Sequence, residues 1–569
     1  MQQEQKMNCM TVIVGKKVSA TGRVLVAHNE DDPGHVIVRH HYVPASDHQP
    51  GEMIPAENGL AHLEQVPHTL GYYWAEYVAD EGGLTSADAF ANECGVVITS
   101  NSMGWSKEDD QDASVVTDGG IGFVLRRVLA ERAHTAREGA EVLMNLMDTY
   151  GYAPSGRAYT IADQQEAFMF QLVRGKHYIG ARVPDDAVVV MPNHYTFHTL
   201  HDCPEMFYSK DLVSYAKAKG WFVSKTEDDS DFDFAAAYQG EKTWKSSGNV
   251  LRQKHGQRIV LGRNWDLEKE GTPFCVYPTS KIDFKTLAKV MRCHYEGTED
   301  DIDRFGPGHS PHNSALARRI CTGTTLESNL WAFGNTPKDL CVYTALGRPC
   351  QVPYLPLHPL QGLPKCLQDS VSGEARMAQH LEKQIGATCT DASVYQRFRK
   401  LCGQQEMLHA DVVKSMSDVL DTILDEAMQE NESVLKHGNA AIEDEAFLTA
   451  ALEKLEGIAN ATFNRAEILQ VSGLTLHNDP ATITVTFTLK GTPVEDTLRF
   501  GLEYTHVIDA FSAVKAGSLR QEDGHWCADF DLEPLKKVLP FPGHHTFFLG
   551  GRTDDDKAFE GSLTCMVEA

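Results

Sequence analysis

Hydrophobic positions follow three successive patterns along the chain. From residue 9 to about 365, short apolar runs alternate with stretches of helical spacing. Residues 9–14, CMTVIV, predict a short buried strand. Gly15 to Gly22 holds a turn, and Val24 to Ala27 predicts a second strand running into an acidic loop, His28-Asn29-Glu30-Asp31-Asp32. Two apolar strands about a turn make a hairpin. Cys9 then opens the first strand, and Asp31 lies just past the end of the second, so the two are neighbours in space. Residues 122–150 predict helix, with Val124, Leu125, Val128 and Leu129 at helical spacing. Thr135-Ala136-Arg137-Glu138 fits a capping box for a second helix that buries Val142, Leu143, Leu146 and Met147 and ends at Gly151. Segments 159–162, 167–173, 178–183 and 188–191 read as successive sheet strands.

Beyond residue 365 the period changes twice. Val412, Met416, Val419, Leu420 and Ile423 form an amphipathic stripe, and Phe447 to Ile458 continues helically. In the tail, Ile483, Val485, Phe487 and Leu489 alternate with threonines until Gly491 breaks the run, which is the period of a half-buried strand. The expected organisation is an N-terminal segment (1–8), a layered α/β (α+β) domain (9–365), a helical region packed on it (366–460) and a small C-terminal antiparallel β domain (461–569).

Composition narrows the function more than the fold. The net charge of -27 argues against nucleic acid as a partner, because phosphate binding needs a basic footprint. No run of about 18 apolar residues spans a membrane. The N-terminus has neither an apolar signal core nor a cleavage-site pattern, so the expectation is a cytoplasmic protein or a chain that has lost a leader. Thirteen scattered cysteines without a C-x-x-C pair predict reduced, mostly buried thiols and neither a disulfide scaffold nor a zinc finger.

A strand cysteine is ordinarily inert core. Cys9 differs in position. Were it residue one, its own α-amine, with an ordinary pKa of about 8, could take the thiol proton and return it to a leaving amine. An acid to orient that amine and donors for an oxyanion would complete the site. Asp31 is placed for the first role by the hairpin, and asparagines at neighbouring strand ends for the second.

The motifs around these residues carry a resemblance. Cys9-Met-Thr-Val-Ile-Val-Gly15 followed by Ala27-His28-Asn29-Glu30-Asp31 resembles the opening of the C69 dipeptidases, the dipeptidase A type, relatives of penicillin V acylase and bile salt hydrolase. Asn92-Glu93-Cys94-Gly95-Val96, Arg132-Ala-His-Thr-Ala-Arg-Glu-Gly139, Val183-Pro-Asp-Asp186 with Met191-Pro-Asn193, Ser209-Lys-Asp-Leu212, Gly220-Trp221 and His294-Tyr-Glu-Gly-Thr298 continue it in the family's order over roughly residues 9–365. The resemblance implies a four-layer αββα N-terminal-nucleophile (Ntn-hydrolase) sandwich and cysteine-dependent, metal-free amide hydrolysis of small peptides through a thioester, with no cofactor. It also implies a homo-oligomer, since the family often assembles. Carried over position by position, Cys9 is the nucleophile, Asp31 holds its amine, and Asn193 is the oxyanion-hole asparagine. Asn101 is a second donor and Arg252 a late active-site arginine. His28 and Asn29 are placed at the substrate.

Two departures bear on this. His28 stands where the family has arginine, giving a shorter, titratable contact in place of a fixed fork and making thiolate stabilisation or carboxylate binding weaker or pH-dependent. Eight residues precede Cys9, so maturation must cleave the Asn8–Cys9 bond. Two further readings therefore stay open: an unprocessed, non-catalytic secernin-like binding module, and an N-acyl amino acid or bile-salt-type amidase on the same scaffold. Elsewhere, His194, His198 and His201 with Asp202 and Cys203 read as surface or pocket-lining residues rather than a metal site, and His309 and His312 as part of a solvated loop. The Gly119-Gly120/Gly122 cluster lacks the lysine of a phosphate loop. Glu296 reads as a structural hydrogen-bonding group.

Overall fold

The computed structural model describes residues 9–32, 36–55, 57, 60–79, 86–108, 111–241, 243, 246–301, 311–312, 318–368, 371–378, 380, 393–406, 410–474, 482–502, 513–536 and 543–567. Two sheets face each other in its first part. One has seven strands and centres on Met10–Val14 and Leu25–Asp31, flanked by Val188–Met191 on one side and Thr325–Ala332 on the other. The second has eight strands, among them Ser86–Asn92, Val97–Ser102, Tyr152–Ala162 and Ala167–Gly175. Side-chain alternation sorts the second sheet's residues between two cores. Phe168, Phe170 and Leu172 enter the core beneath the outer helices, whereas Met169 and Val173 enter the core between the sheets. Helices Leu125–Arg132 and Ala136–Tyr150 cover the second sheet, and Ser247–Leu261 and Phe284–Met291 cover the first. The result is the expected αββα sandwich.

The hairpin forms as the pattern predicts, with Met10 opposite Asn29 and Val14 opposite Leu25. The acidic segment is not a loop, however. His28 to Asp31 complete the strand Leu25–Asp31, which pairs on its far side with Thr325–Ala332. With neighbours on both edges this strand satisfies its backbone groups, and its polar side chains find partners of their own. Of the four later segments, the first three pair in succession within the second sheet, the first lengthened to Tyr152–Ala162, while Val188–Met191 crosses to the first sheet beside Met10–Val14. The capping box forms by half. Thr135 Oγ1 accepts from the Glu138 N–H at 3.1 Å, but the Glu138 carboxylate accepts from the backbone of His134.

Helices Val394–Glu406, Ala410–His437 and Ala440–Thr462 fill the middle region. Leu420 and Ile423 are buried there, as the stripe requires; the side chains of Val412 and Met416 fall outside the described residues. The tail is a closed seven-stranded barrel. Its neighbouring strands run antiparallel except where Asn464–Ser472 meets Ala558–Val567 in parallel. Ile483, Val485 and Phe487 point into its core. No helix among the described residues is long and apolar enough to cross a membrane.

Gly15 follows the strand Met10–Val14, which Cys9 immediately precedes. Its N–H donates to Ala187, and a Cβ there would lie 2.3 Å from the Pro184 carbonyl oxygen and 2.5 Å from that of Asp185. Backbone on both sides leaves nothing to swing aside. Gly15→Ala should cost about 1–3 kcal/mol, read as a lower midpoint in denaturant unfolding.

Candidate active site

Cys9 is fully buried at the head of the hairpin. Its carbonyl oxygen accepts from Arg252 Nη1 at 3.1 Å. Arg252 lies on helix Ser247–Leu261, which approaches the sheet closely because Gly256, one turn on, sits against Val190 where a Cβ would come within 2.5 Å of its methyl group. The guanidinium Nη2 donates to Asn193 Oδ1 at 2.8 Å and to Asn249 Oδ1 at 2.6 Å. Asn249 in turn donates to the Asn193 carbonyl at 3.1 Å, and Asn193 Nδ2 donates to the Ser102 carbonyl at 2.6 Å. One arginine thus ties the candidate nucleophile to the candidate oxyanion donor. Burial, with Arg318 nearby, lowers Arg252 to about 10, which leaves it charged at neutral pH.

A second chain of contacts runs between the sheets. Thr11 has one hydroxyl hydrogen and donates it to Asn101 Oδ1 at 2.6 Å. Its 2.8 Å contact with His28 Nδ1 must therefore be made by an Nδ1–H donor. Burial lowers His28 to about 4, so the ring is neutral and Nε2 carries a lone pair. That nitrogen lies 3.1 Å from Glu30 Oε2. Glu30 is held protonated above the ordinary carboxylate range by burial and by Asp88 and Asp32, so it can donate. The Cys9 thiol reaches the same oxygen at 3.6 Å. The order is Cys9 to Glu30 to His28 to Thr11 to Asn101, whose own Nδ2 donates to the Met191 carbonyl at 3.2 Å. His28 is accordingly no titrating substitute for an arginine near neutral pH.

Positive charge comes from elsewhere. Arg157 donates to Asp88 at 2.6 Å and to Ser100 Oγ at 2.8 Å, and Arg126 binds the other Asp88 oxygen. Burial alone would raise Asp88, but Arg126 and Arg157 hold it well below the usual range. Burial raises the Cys9 thiol well above its ordinary value; Glu30, Asp88 and Asp31 add to that, and Arg157 opposes it. Asp88, Arg126, Arg157 and the role of Glu30 escaped the sequence reading. The signal was present: Asp88 interrupts the apolar run Ala87–Phe90, and Arg126 sits on the apolar face of its helix.

Asp31 occupies the end of its strand, where a register shift loosens the pairing with Thr325–Ala332. Its Oδ1 accepts from Thr322 at 3.1 Å and from Thr325. Its Oδ2 is buried without a hydrogen-bond partner among the described residues. Burial pushes the carboxyl up to about 7, against the hydrogen bond from Thr325. It is near enough for its charge to act on Cys9, and for that of Arg252 to act on it. Asn29, two residues earlier, donates to the carbonyls of Met291 and Ile320 at 2.9 and 3.2 Å and pins the strand to the outer helical layer.

The structure therefore gathers Cys9, His28, Asp31, Asn101, Asn193 and Arg252 in one buried neighbourhood, and engages the Asn29 amide with backbone. The other histidines separate. His194 binds Gln253, His198 binds Asp233, and His201 is exposed. Glu296 hydrogen-bonds His294, the structural role expected of it. His312 is buried rather than solvated; His309 lies outside the described residues.

Similarity to known proteins covers more than half of the chain. The model of peptidase family C69 matches residues 8–369. A probable dipeptidase B of Lactococcus lactis subsp. lactis is 27% identical over 330 residues, which are 56% of this chain and 66% of that protein. A probable dipeptidase of Salmonella dublin is 25% identical over 364 residues, 62% of this chain and 80% of that one. A solved mutant of the conjugated bile acid hydrolase from Clostridium perfringens aligns at 12% identity and a TM-score of 0.25, covering 60% of this chain and 89% of that structure.

A carboxyl raised by folding favours the native state while protonated. Here that contribution is complete below about pH 4, the unfolded value, and is lost as pH rises through about 7. In a Cys9→Ala background, Asp31→Asn should raise the thermal midpoint at pH 8 by about 2 °C or more. The advantage should shrink as pH falls and vanish near about pH 4, as followed by thermal unfolding across that range.

Proposed function

Since the chain belongs to peptidase family C69, we propose that it is a dipeptide-cleaving amide hydrolase whose nucleophile is Cys9 once residues 1–8 have been removed. The observation that carries this reading is the shared clamp. Arg252 holds the Cys9 carbonyl and the Asn193 side chain together, and the buried Asp31 keeps one carboxylate oxygen without a hydrogen-bond partner among the described residues.

In the mature chain the Cys9 α-amine is the base, and Asp31 is the acid that orients it and balances its charge when protonated. The amine takes the thiol proton, the sulfur adds to the substrate carbonyl, and the tetrahedral oxyanion forms. Each asparagine amide has two N–H donors. Asn193 uses one toward Ser102 and Asn101 uses one toward Met191, so each retains a second for the oxyanion. The ammonium then protonates the leaving amine, and water resolves the thioester. Maturation has the Asn8 carbonyl as the target and proceeds without the amine base, with water taking the thiol proton and returning one to the departing Cys9 nitrogen. The thiol adds to it, the bond to the Cys9 nitrogen breaks, the free amine appears, and water releases residues 1–8.

Before that cleavage the nitrogen is an amide and cannot serve as a base. The thiol is also held protonated by burial, with the Asp88 and Asp31 charges adding to it. A chain that keeps its leader would therefore be catalytically silent, which is the binding-module reading. Intact-mass measurement separates the two. A mature chain should begin at Cys9 and hydrolyse dipeptides, and a chain still beginning at Met1 with an electrophile-insensitive thiol would sink the catalytic reading. A panel of dipeptides against N-acyl amino acids tells a dipeptidase from an acylase.

Two substitutions test the roles. Asn193→Ala should lower kcat by about 10²–10³-fold, as for the loss of one oxyanion donor. Cys9→Ser should remove most hydrolysis and slow release of the leader, because the hydroxyl has a higher pKa and is the weaker nucleophile. Unchanged turnover in either variant would contradict the assignment.

A further inference from the structure

Behind Asp31, on the side of Thr322, four side chains from distant parts of the chain converge. They are His294, after helix Phe284–Met291; His312; Cys321, at the approach to Thr325–Ala332; and Cys350, in the turn after Cys341–Ala345. One nitrogen or sulfur atom from each lies within 4.8 Å of every other. His312 Nε2 is 3.0 Å from Cys350 Sγ and 3.7 Å from Cys321 Sγ, and the two sulfurs are 3.5 Å apart. The two imidazoles stand edge to face, with centroids 4.9 Å apart.

We propose that His294, His312, Cys321 and Cys350 form a structural zinc site that braces the wall supporting Asp31. Two thiolates and two imidazoles are a closed, tetrahedral ligand set that suits zinc and leaves no open position for substrate. Zinc–sulfur bonds of about 2.3 Å and zinc–nitrogen bonds of about 2.0 Å put tetrahedral ligand atoms about 3.3–3.8 Å apart. The separations of 3.5 and 3.7 Å fall in that range, and the His312–Cys350 contact at 3.0 Å is shorter.

The surroundings favour a metal over a chance cluster. His294 Nδ1 lies 2.9 Å from Glu296 Oε1, while Oε2 accepts from the His294 backbone N–H at 3.1 Å. This fixes the tautomer and leaves Nε2 as the ligating atom, an outer-sphere arrangement common to zinc-bound histidine. Nε2 itself is buried and faces the Cys321 sulfur. Between the two, Tyr295 holds the left-handed conformation, φ 75°, which a bulky residue adopts only when its surroundings impose it. Its ring stacks on His255 at 4.1 Å and its hydroxyl donates to the Arg318 carbonyl at 2.5 Å. A disulfide between Cys321 and Cys350 would account for two of the four residues and leave both histidines unexplained.

The site would act on the active centre through position alone. Thr322, next to Cys321, donates to Asp31, and the Ile320 carbonyl accepts from Asn29. Zinc at Cys321 would hold both supports in register.

Elemental analysis of the full-length protein, purified without chelator or immobilised nickel, should find about one zinc per chain. Cobalt added to reduced, stripped protein should give thiolate-to-cobalt charge-transfer and tetrahedral d–d bands. His312→Ala and Cys350→Ala should lose the zinc, whereas Cys94→Ala should keep it. Where those variants fold poorly, Glu296→Gln, which keeps all four ligands, should weaken zinc retention against a chelator by about 10–100-fold. Protein that holds no zinc and takes none up when reduced would overturn the proposal. So would zinc that survives the ligand substitutions, or a Cys321–Cys350 disulfide in metal-free protein found by peptide mapping. Cys9→Ala should retain full zinc, so the outcome is independent of the catalytic reading.

Discussion

Four consecutive polar side chains, His28 to Asp31, are buried on a strand enclosed by neighbours on both edges and by layers on both faces. Burying polar groups is costly unless each finds a partner or gives up its charge. Much of the architecture around the hairpin answers that demand. His28 and Glu30 point between the sheets and respond by becoming neutral, linked in one directional chain from Cys9 to Asn101. Asn29 and Asp31 take their partners elsewhere, from the 320–325 segment and the end of a covering helix. Strand alternation, which ordinarily separates core from solvent, here separates two kinds of polar environment.

Charge is divided accordingly. Asp88 keeps its ionised form because two arginines share it; Glu30, nearby, has no such pair and is held neutral. Arg252 approaches from the opposite layer and contacts Cys9 through its carbonyl. The fixed positive charge expected where His28 stands is thus redistributed onto Arg157 and Arg252, from a strand and a helix distant in sequence. A neutral histidine in that place is compatible with the same electrostatics. It also removes the source of pH dependence near neutrality that a half-charged histidine would introduce.

The legibility of this layout follows physical range. The hairpin, the covering helices and the period-two tail are local features, and the run from Met10 to Val14, the spacing of Leu125 with Leu129 and the Thr482–Leu489 alternation declared them. The strand character of His28–Asp31 was hidden because local polarity argues for a loop, and only pairing with Thr325–Ala332 overrides it. The parallel closure of the barrel joins residues about a hundred positions apart and leaves no local mark. Motif resemblance named six residues that do assemble, but not the Asp88–Arg126–Arg157 cluster. A charge on an apolar face signals a buried pair without naming its partner. His312 was misjudged for a similar reason: a Gly/Pro-rich neighbourhood suggests solvent, and burial came from His294 and two cysteines supplied by distant segments.

The geometry also bears on why the proposed reaction would need maturation rather than merely tolerate it. A thiol in a dry site beside Glu30, Asp88 and Asp31 gains little from ionising, and the Arg157 charge is already shared with Asp88. Histidine, the usual partner for such a thiol, is here a neutral ring whose lone pair faces Glu30. Of the side chains that hydrogen-bond Cys9 among the described residues, Glu30 is protonated and Arg252 is a cation, so a base in direct contact with the thiol appears when its own nitrogen is released from the peptide bond. That new cation would lie among carboxyl groups, one of which, Asp31, has an oxygen without a hydrogen-bond partner among the described residues. Ionised Asp31 would then stabilise the ammonium, and the ammonium the thiolate. One arrangement of side chains can in this way silence the chain before cleavage and activate it afterwards, with no movement of the fold required.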